Sequence, residues 1–315
     1  MNSELSALPG ASRASGGLAL ASIPARVWVL AAVVLALAGC FGVPLYDLVR
    51  YAAPSELYSH ILLIPFISLY LIWLRRGKLA LDSAPARRLA WFPAVTGLAA
   101  LGGFWLGVSC GWRPAMVDYL AWMTFSFLAF LVGAGFVLLG LETLRRIAFP
   151  LAFLAFMIPF PTVVRGWIDT FFQYGSAEAA RACFWAAGMP VEQQGLVFQL
   201  PGTALQIAEE CSGIHSSLVL FITSLLAGHL LLRSASRRAL LALAVVPLAL
   251  LRNGFRVFVI GELCVNISPR MIDSPIHHQG GPLFFVLSLV PFSLLLFFLR
   301  RCESRHRKRR QRAKR

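Results

Sequence analysis

The chain has 315 residues, 58% of them hydrophobic and only 14% charged, with a mean hydropathy of +0.72. Soluble domains carry roughly 45–50% apolar and about 25% charged residues, so this composition, with several apolar runs near ~20 residues, reads as a polytopic membrane protein with little left for a soluble domain. The net charge of +15 does not imply nucleic acid, because ten of the 29 basic residues crowd into Arg300 to Arg315; no nucleic-acid motif accompanies them, and the pattern fits topology signals and contact with anionic lipids.

Residues 1–25 are rich in Gly, Ala and Ser without apolar periodicity and are predicted to be disordered. The first predicted span runs from Arg26 to Leu45. It contains Leu37-Ala38-Gly39-Cys40, similar to a lipoprotein cleavage box, but the apolar run continues through Phe41 to Leu45 and reads as an uncleaved span. Further spans are predicted at 58–74, 89–109, 117–141, 146–161, 211–232, 239–263 and 282–300, eight in all. The fifth is short and interrupted by prolines. With the N-terminus inside, 22 of the 29 Lys and Arg fall on the cytoplasmic side, which predicts that both termini are cytoplasmic.

The longest outside segment is 162–210. Residues 163–189 mix apolar and polar side chains at helical spacing and predict a helix lying in the membrane interface. Residues 190–210 alternate around Pro201-Gly202, which predicts a two-stranded hairpin leading into the sixth span. The expected fold is an all-α polytopic membrane protein of about eight transmembrane helices, with this outside helix and short β-hairpin before the sixth span. Its parts are a disordered cytoplasmic N-terminus (1–25), a multi-pass membrane domain (26–300) and a basic cytoplasmic tail (301–315).

Polar residues gather at one level of this topology. Glu209, Glu210, Cys211, Ser212 and Gly213 open the sixth span at its outward end. Arg256 lies about 25 Å along the seventh span, near the outer side of a hydrocarbon core about 30 Å thick. His277 and His278 precede the eighth span, and His60 begins the second. Charge within a membrane helix is costly and is usually paired or functional. Arg252 and Arg256 share a helical face. Arg256 also neighbours Asn253, as in a built polar site. Arg252 has two readings, a side chain reaching to headgroups or a part of the same site.

Cys211 is either a small filler or a nucleophile whose thiolate a nearby cation favours. Ser212 and Gly213 either admit a substrate backbone or permit close helix packing. Glu209 either orients Arg256 or a histidine, or caps the helix. The six cysteines form no CxxC pair and no metal-like spacing. His60, His277, His278 and Asp273 match no metal motif, so no metal or cofactor is expected.

The ordered set of motifs resembles the exosortase/archaeosortase family of membrane transpeptidases from about residue 58 to 290. The family's E-x-C-S-G-I motif is matched by Glu209-Glu210-Cys211-Ser212-Gly213-Ile214, and its N-x-x-R-[IV] motif by Asn253-Gly254-Phe255-Arg256-Val257. A histidine four residues before a glycine is matched by His277 and Gly281. The segments 58–73, 156–161 and 188–201 are similar as well. The pattern departs at His215, where the family often has arginine, and at His278, which follows His277.

The resemblance implies a catalytic Cys211, Arg256 and His277 at the outer face of the cell (inner) membrane. It implies exported substrates with PEP-CTERM-like tails, each a short motif, a membrane helix and a basic end. The tail would be cleaved and the new C-terminus passed to an envelope acceptor. Residue chemistry accords with this. A Cys211 thiolate would form a thioester, Arg256 would stabilise the oxyanion, and His277 would protonate the leaving amine. Two other classes fit the composition: a multi-pass transporter, and a scaffold for envelope assembly. Transporter sites lie nearer the midplane, often between repeated halves, and no internal repeat is visible here.

Overall fold

The computed structural model describes residues 25–78, 84–207, 213–268, 270–271 and 281–312. Glu209, Cys211, Ser212, His277 and His278 lie outside the described residues, as does the N-terminal segment before Ala25.

Helix α1 (Ala25–Cys40) presents no buried residue and breaks at Phe41, turning by 74° into α2 (Gly42–Ala52). Pro44 explains the break. It has no N–H, and its ring meets the carbonyl of residue 40, four positions earlier. A 3-10 turn (Ser59–Leu62) leads into α3 (Ile64–Leu74). Helices α4 (Arg87–Ser109) and α5 (Met116–Leu138) form an antiparallel pair, drawn close where Gly97 meets Ala129 and Gly133 meets Ala90.

Two short helices follow, α6 (Gly140–Arg146) and α7 (Ala148–Phe153), then a 3-10 turn (Leu154–Met157). Ile158-Pro159-Phe160-Pro161 then turns the chain by 92° into α8 (Thr162–Ala186). Each proline drives the residue before it out of the helical region. The corner is held from α5: the Asp118 carboxylate accepts from the Thr162 backbone N–H at 2.8 Å and from its hydroxyl at 3.0 Å.

After α8 the chain forms a three-stranded antiparallel meander, β1 (Glu192–Gln194), β2 (Val197–Leu200) and β3 (Thr203–Gln206). Pro201-Gly202 joins β2 to β3, with Leu200 opposite Thr203. The expected two-stranded hairpin is therefore corrected to three strands. Gly195, at φ +62°, lets the chain turn once more, so that Glu192 pairs with Gln199. Helices α9 (Ile214–Leu231), α10 (Ala235–Asn266) and α11 (Gly281–Arg312) complete the chain. Helix α11 continues unbroken past residue 300, through most of the basic tail.

Five helices are long and apolar enough to cross a membrane, or up to seven if each bent pair is one span. The expected count of eight is therefore not reached by length and composition. The shortfall lies in short or bent segments. Residues 59–74 make only 16 helical positions, about 24 Å against a core near 30 Å. The fifth predicted span is a ten-residue helix, Ala148–Met157, that bends into α8.

Helix α8 positions the polar site. It carries a buried stripe of Asp169, Gln173, Ser176, Ala177, Ala180 and Phe184, and this stripe faces α10. Gly175 meets Leu250, Gly254 meets Ala179 and Ala180, and Gly261 meets Phe184. The numbers rise together, so the two helices run in the same direction. Small residues at the crossing let the backbones approach closely, the usual basis of helix association in lipid. The segment expected to lie in the interface is thus a helix whose inner face is filled by α10. Phe198, Leu200 and Leu205 of the sheet, with Ile207 just after it, pack into the same cluster with Val257, Ile260 and Cys264.

Candidate active site

The described part of the site is built on one turn and a half of α10, residues 252 to 257. Arg252 and Asn253 are buried, at 8% and 2% exposure. They diverge to two neighbours. The Asn253 side-chain N–H donates to Ser176 Oγ of α8 at 3.1 Å. Arg252 Nη2 donates to the Gly213 carbonyl and to Ser217 Oγ of α9, each at 3.2 Å. The reading in which Arg252 reaches to headgroups is overturned, since its guanidinium is turned inward and bonded.

Gly213 stands at the N-terminus of α9, two residues into the sixth predicted span, in a conformation that favours glycine. Its φ of +70° is left-handed, a region that costs an L-residue roughly 1–2 kcal/mol. A Cβ would stand 3.0 Å from Asn253 Oδ1 and 3.1 Å from Arg252 Nη2. Of the two readings of Gly213, the described contacts are those of close packing. Its carbonyl accepts from four donors: the Ser217 N–H at 3.0 Å, Ser217 Oγ at 2.7 Å, Ser216 Oγ at 3.2 Å and Arg252 Nη2. The first turn of α9 is thereby locked to α10.

Arg256 lies one turn beyond Arg252 and is half-buried. It lines a small cavity of about 10 Å³ with Asn253, Val257 and Ile260, roofed by Leu205 and Gln206 of β3 and by Ile207 just after it. That volume suits a single water. Ile207 is fastened by its N–H to the Leu196 carbonyl at 2.9 Å. The described residues on either side of 208–212, Ile207 and Gly213, therefore both pack on the same stretch of α10. The start of α11 comes to it as well: the Phe284 ring lies 6.3 Å from that of Phe255, the neighbour of Arg256. Three segments distant in sequence meet at this turn, and two of them adjoin the residues that carry Cys211 and His277.

His60 shares a cavity with Leu218 of α9. Its Nδ1–H donates to the Leu57 carbonyl at 3.0 Å, and the backbone of Phe156 is a second hydrogen-bond partner of the ring. It lines a cavity of about 120 Å³ with Tyr58, Phe156, Phe160 and Leu218 among others. His60 is near enough to His215 for their charges to interact, and His215 stands in the same relation to Glu56 and Arg252. His60 therefore joins the polar cluster through His215 rather than by direct contact with Arg256.

Sequence reasoning missed Ser176, Ser217 and Glu56, and left Arg252 undecided. A signal existed for two of these. Gly175-Ser176-Ala177 and Ala179-Ala180 are small residues flanking Glu178, and two adjacent polar residues, Arg252 and Asn253, interrupt an apolar helix.

A profile of transmembrane exosortases matches residues 49–294, most of the chain. The chain belongs to the transmembrane exosortase family. No curated protein and no solved structure matches it. Family membership and the long apolar helices together make it a multi-pass membrane protein.

Proposed function

We propose that the chain is a membrane cysteine transpeptidase. It cleaves the C-terminal sorting tail of exported proteins and transfers the new C-terminus to an envelope acceptor. The observation that carries the reading is the polar turn of α10. Arg252, Asn253 and Arg256 lie in a chain of the exosortase family, with the Gly213 backbone bound to the same turn two residues after Cys211.

In this reading the Cys211 thiolate attacks the amide carbonyl, and the carbon–nitrogen bond breaks to leave a thioester. Arg256 stabilises the oxyanion of the tetrahedral intermediate. His277 gives a proton to the departing amine, then takes one from the acceptor. His278, Ser212 and Glu209 stand beside these groups in sequence. The reaction lies at the outer face of the membrane, with both termini cytoplasmic. The basic tail contacts anionic lipid, and the substrate supplies a motif, a membrane helix and a basic end.

The test is Cys211→Ala at native expression in the cell. An envelope protein with such a tail is followed by its size and its new C-terminus. Accumulation of the uncleaved form, with the variant still in the membrane, is expected. Normal processing would exclude Cys211 as nucleophile and bring the transporter or scaffold reading forward.

A further inference from the structure

The corner between α1 and α2 sets a polar cavity at one edge of the bilayer. Helix α1 carries no charge from Val27 to Cys40, as a segment within hydrocarbon requires. The 74° turn at Phe41 then leaves α2 close to the membrane plane. Leu45, Leu48 and Ala52 of α2 pack on the core. At 3.6 residues per turn, Arg50 stands opposite them, with Tyr46 and Val49 on one side of it and Asp47 and Tyr51 on the other. Tyr46 and Val49 are exposed, at 65% and 53%, and make the apolar flank of a helix lying in the interface. Asp47, Arg50 and Tyr51 line an open cavity of about 530 Å³ with Pro54, Ser55 and Met116. Trp112, exposed in the turn before Met116, sets this end of α4 and α5 at headgroup level.

Two opposite charges share this cavity without meeting. Asp47 and Arg50 are three residues apart, where side chains of one helix can pair, yet among the described residues neither forms an ion pair. Asp47 lies near enough to Tyr119 of α5 for their charges to interact, while Arg50 is exposed. Met116 is the first residue of the 23-residue α5, so the partial positive charge of that helix end borders the cavity as well. The lining thus offers a carboxylate at one point and cationic groups at another, beside an apolar flank. We propose that this cavity binds the headgroup of a zwitterionic phospholipid, a phosphodiester linked to a primary ammonium. Arg50 and the start of α5 hold the phosphate, Asp47 accepts from the ammonium, and the acyl chains run down past Tyr46 and Val49. A purely anionic headgroup meets Asp47 with like charge, and a quaternary ammonium gives Asp47 no N–H to accept. With both termini cytoplasmic, as proposed above, the lipid belongs to the outer leaflet. The site does not depend on the role of Cys211.

The experiment uses full-length protein in detergent. It is mixed with equal amounts of phosphatidylethanolamine, phosphatidylcholine and phosphatidylglycerol, and bound lipid is read by native mass spectrometry. Phosphatidylethanolamine is expected to be retained in preference to the other two. Asp47→Asn is expected to weaken its binding by about tenfold and to erase the preference, while Arg50→Gln weakens all three lipids. Glu142→Gln, which removes an exposed ion pair of α6, is expected to bind as wild type does. Met116→Trp fills the cavity with both charges intact, is expected to lower phosphatidylethanolamine binding, and decides the matter if the charge variants do not accumulate. Equal retention of the three lipids by wild type overturns the proposal. So does an unchanged preference in Asp47→Asn, or undiminished binding by Met116→Trp. Soluble phosphoethanolamine at the same concentration is expected to leave the lipid bound; full displacement by it would overturn the lipid as occupant.

Discussion

Gly254→Ala isolates the contact on which the polar turn depends. A Cβ at 254 would stand 2.5 Å from the Ala179 Cβ and 2.8 Å from the Ala180 backbone nitrogen. Carbon atoms at rest lie about 3.5–4.0 Å apart, so the helices must separate by roughly 1 Å. Neither obstacle is a flexible side-chain tip, so the strain falls on α8 or α10 as a whole. Overpacking of this kind costs about 1–3 kcal/mol. The same displacement stretches the neighbouring Asn253–Ser176 bond, now 3.1 Å. At about 2–4 °C per kcal/mol, the melting temperature in detergent, read by fluorescence-detected size exclusion, is expected to fall by several degrees. Gly166→Ala in the same α8 is the control. Nothing lies within 4 Å of its Cβ, and alanine is the better helix former by about 1 kcal/mol, so its melting temperature should hold or rise. Equal stability of Gly254→Ala and wild type, or an equal loss in Gly166→Ala, would refute the reasoning.

Two further outcomes concern the site. Gly213→Ala meets both a left-handed φ and the Asn253 and Arg252 side chains at 3.0 and 3.1 Å, and is expected to lower substrate processing by more than about tenfold, the effect of roughly 1.4 kcal/mol. Processing at the wild-type rate, measured at matched membrane levels, would show that the α9 start is not held as described. A double-mutant cycle between Asn253→Ala and Ser176→Ala should give a coupling near the ~0.6 kcal/mol typical of hydrogen bonds between membrane helices, and below about 1.7. Additive losses in melting temperature would mean that the bond does not couple α8 to α10.

Much of the organisation was legible in the sequence because it depends on local signals. The apolar runs mark α4, α5, α9, α10 and α11, since a helix in lipid needs about 20 apolar residues in one stretch. The Pro201-Gly202 turn marks the β2–β3 corner because its backbone preferences are intrinsic. Hydropathy does not register direction, however. The run at 26–45 reads as a single span, yet the chain turns by 74° within it, and the run at 146–161 ends in a 92° turn into α8, angles that only the backbone path reveals. β1 was missed because Glu192-Gln193-Gln194 has no apolar alternation of its own; its place comes from pairing with β2.

The candidate site divides in the same way. Sequence alone determined which residue types stand at which positions: Cys211 before a helix, Asn253 and Arg256 within one, His277 before another. It placed them by counting residues along helices of known rise. Only the tertiary structure decided that Arg252 turns inward to Gly213 while Asn253 turns to Ser176, because those partners lie 39 and 77 residues away. Which way a buried guanidinium points depends on where another helix leaves an acceptor. That is a property of how α9 and α8 pack on α10, which no local pattern in any of these helices encodes.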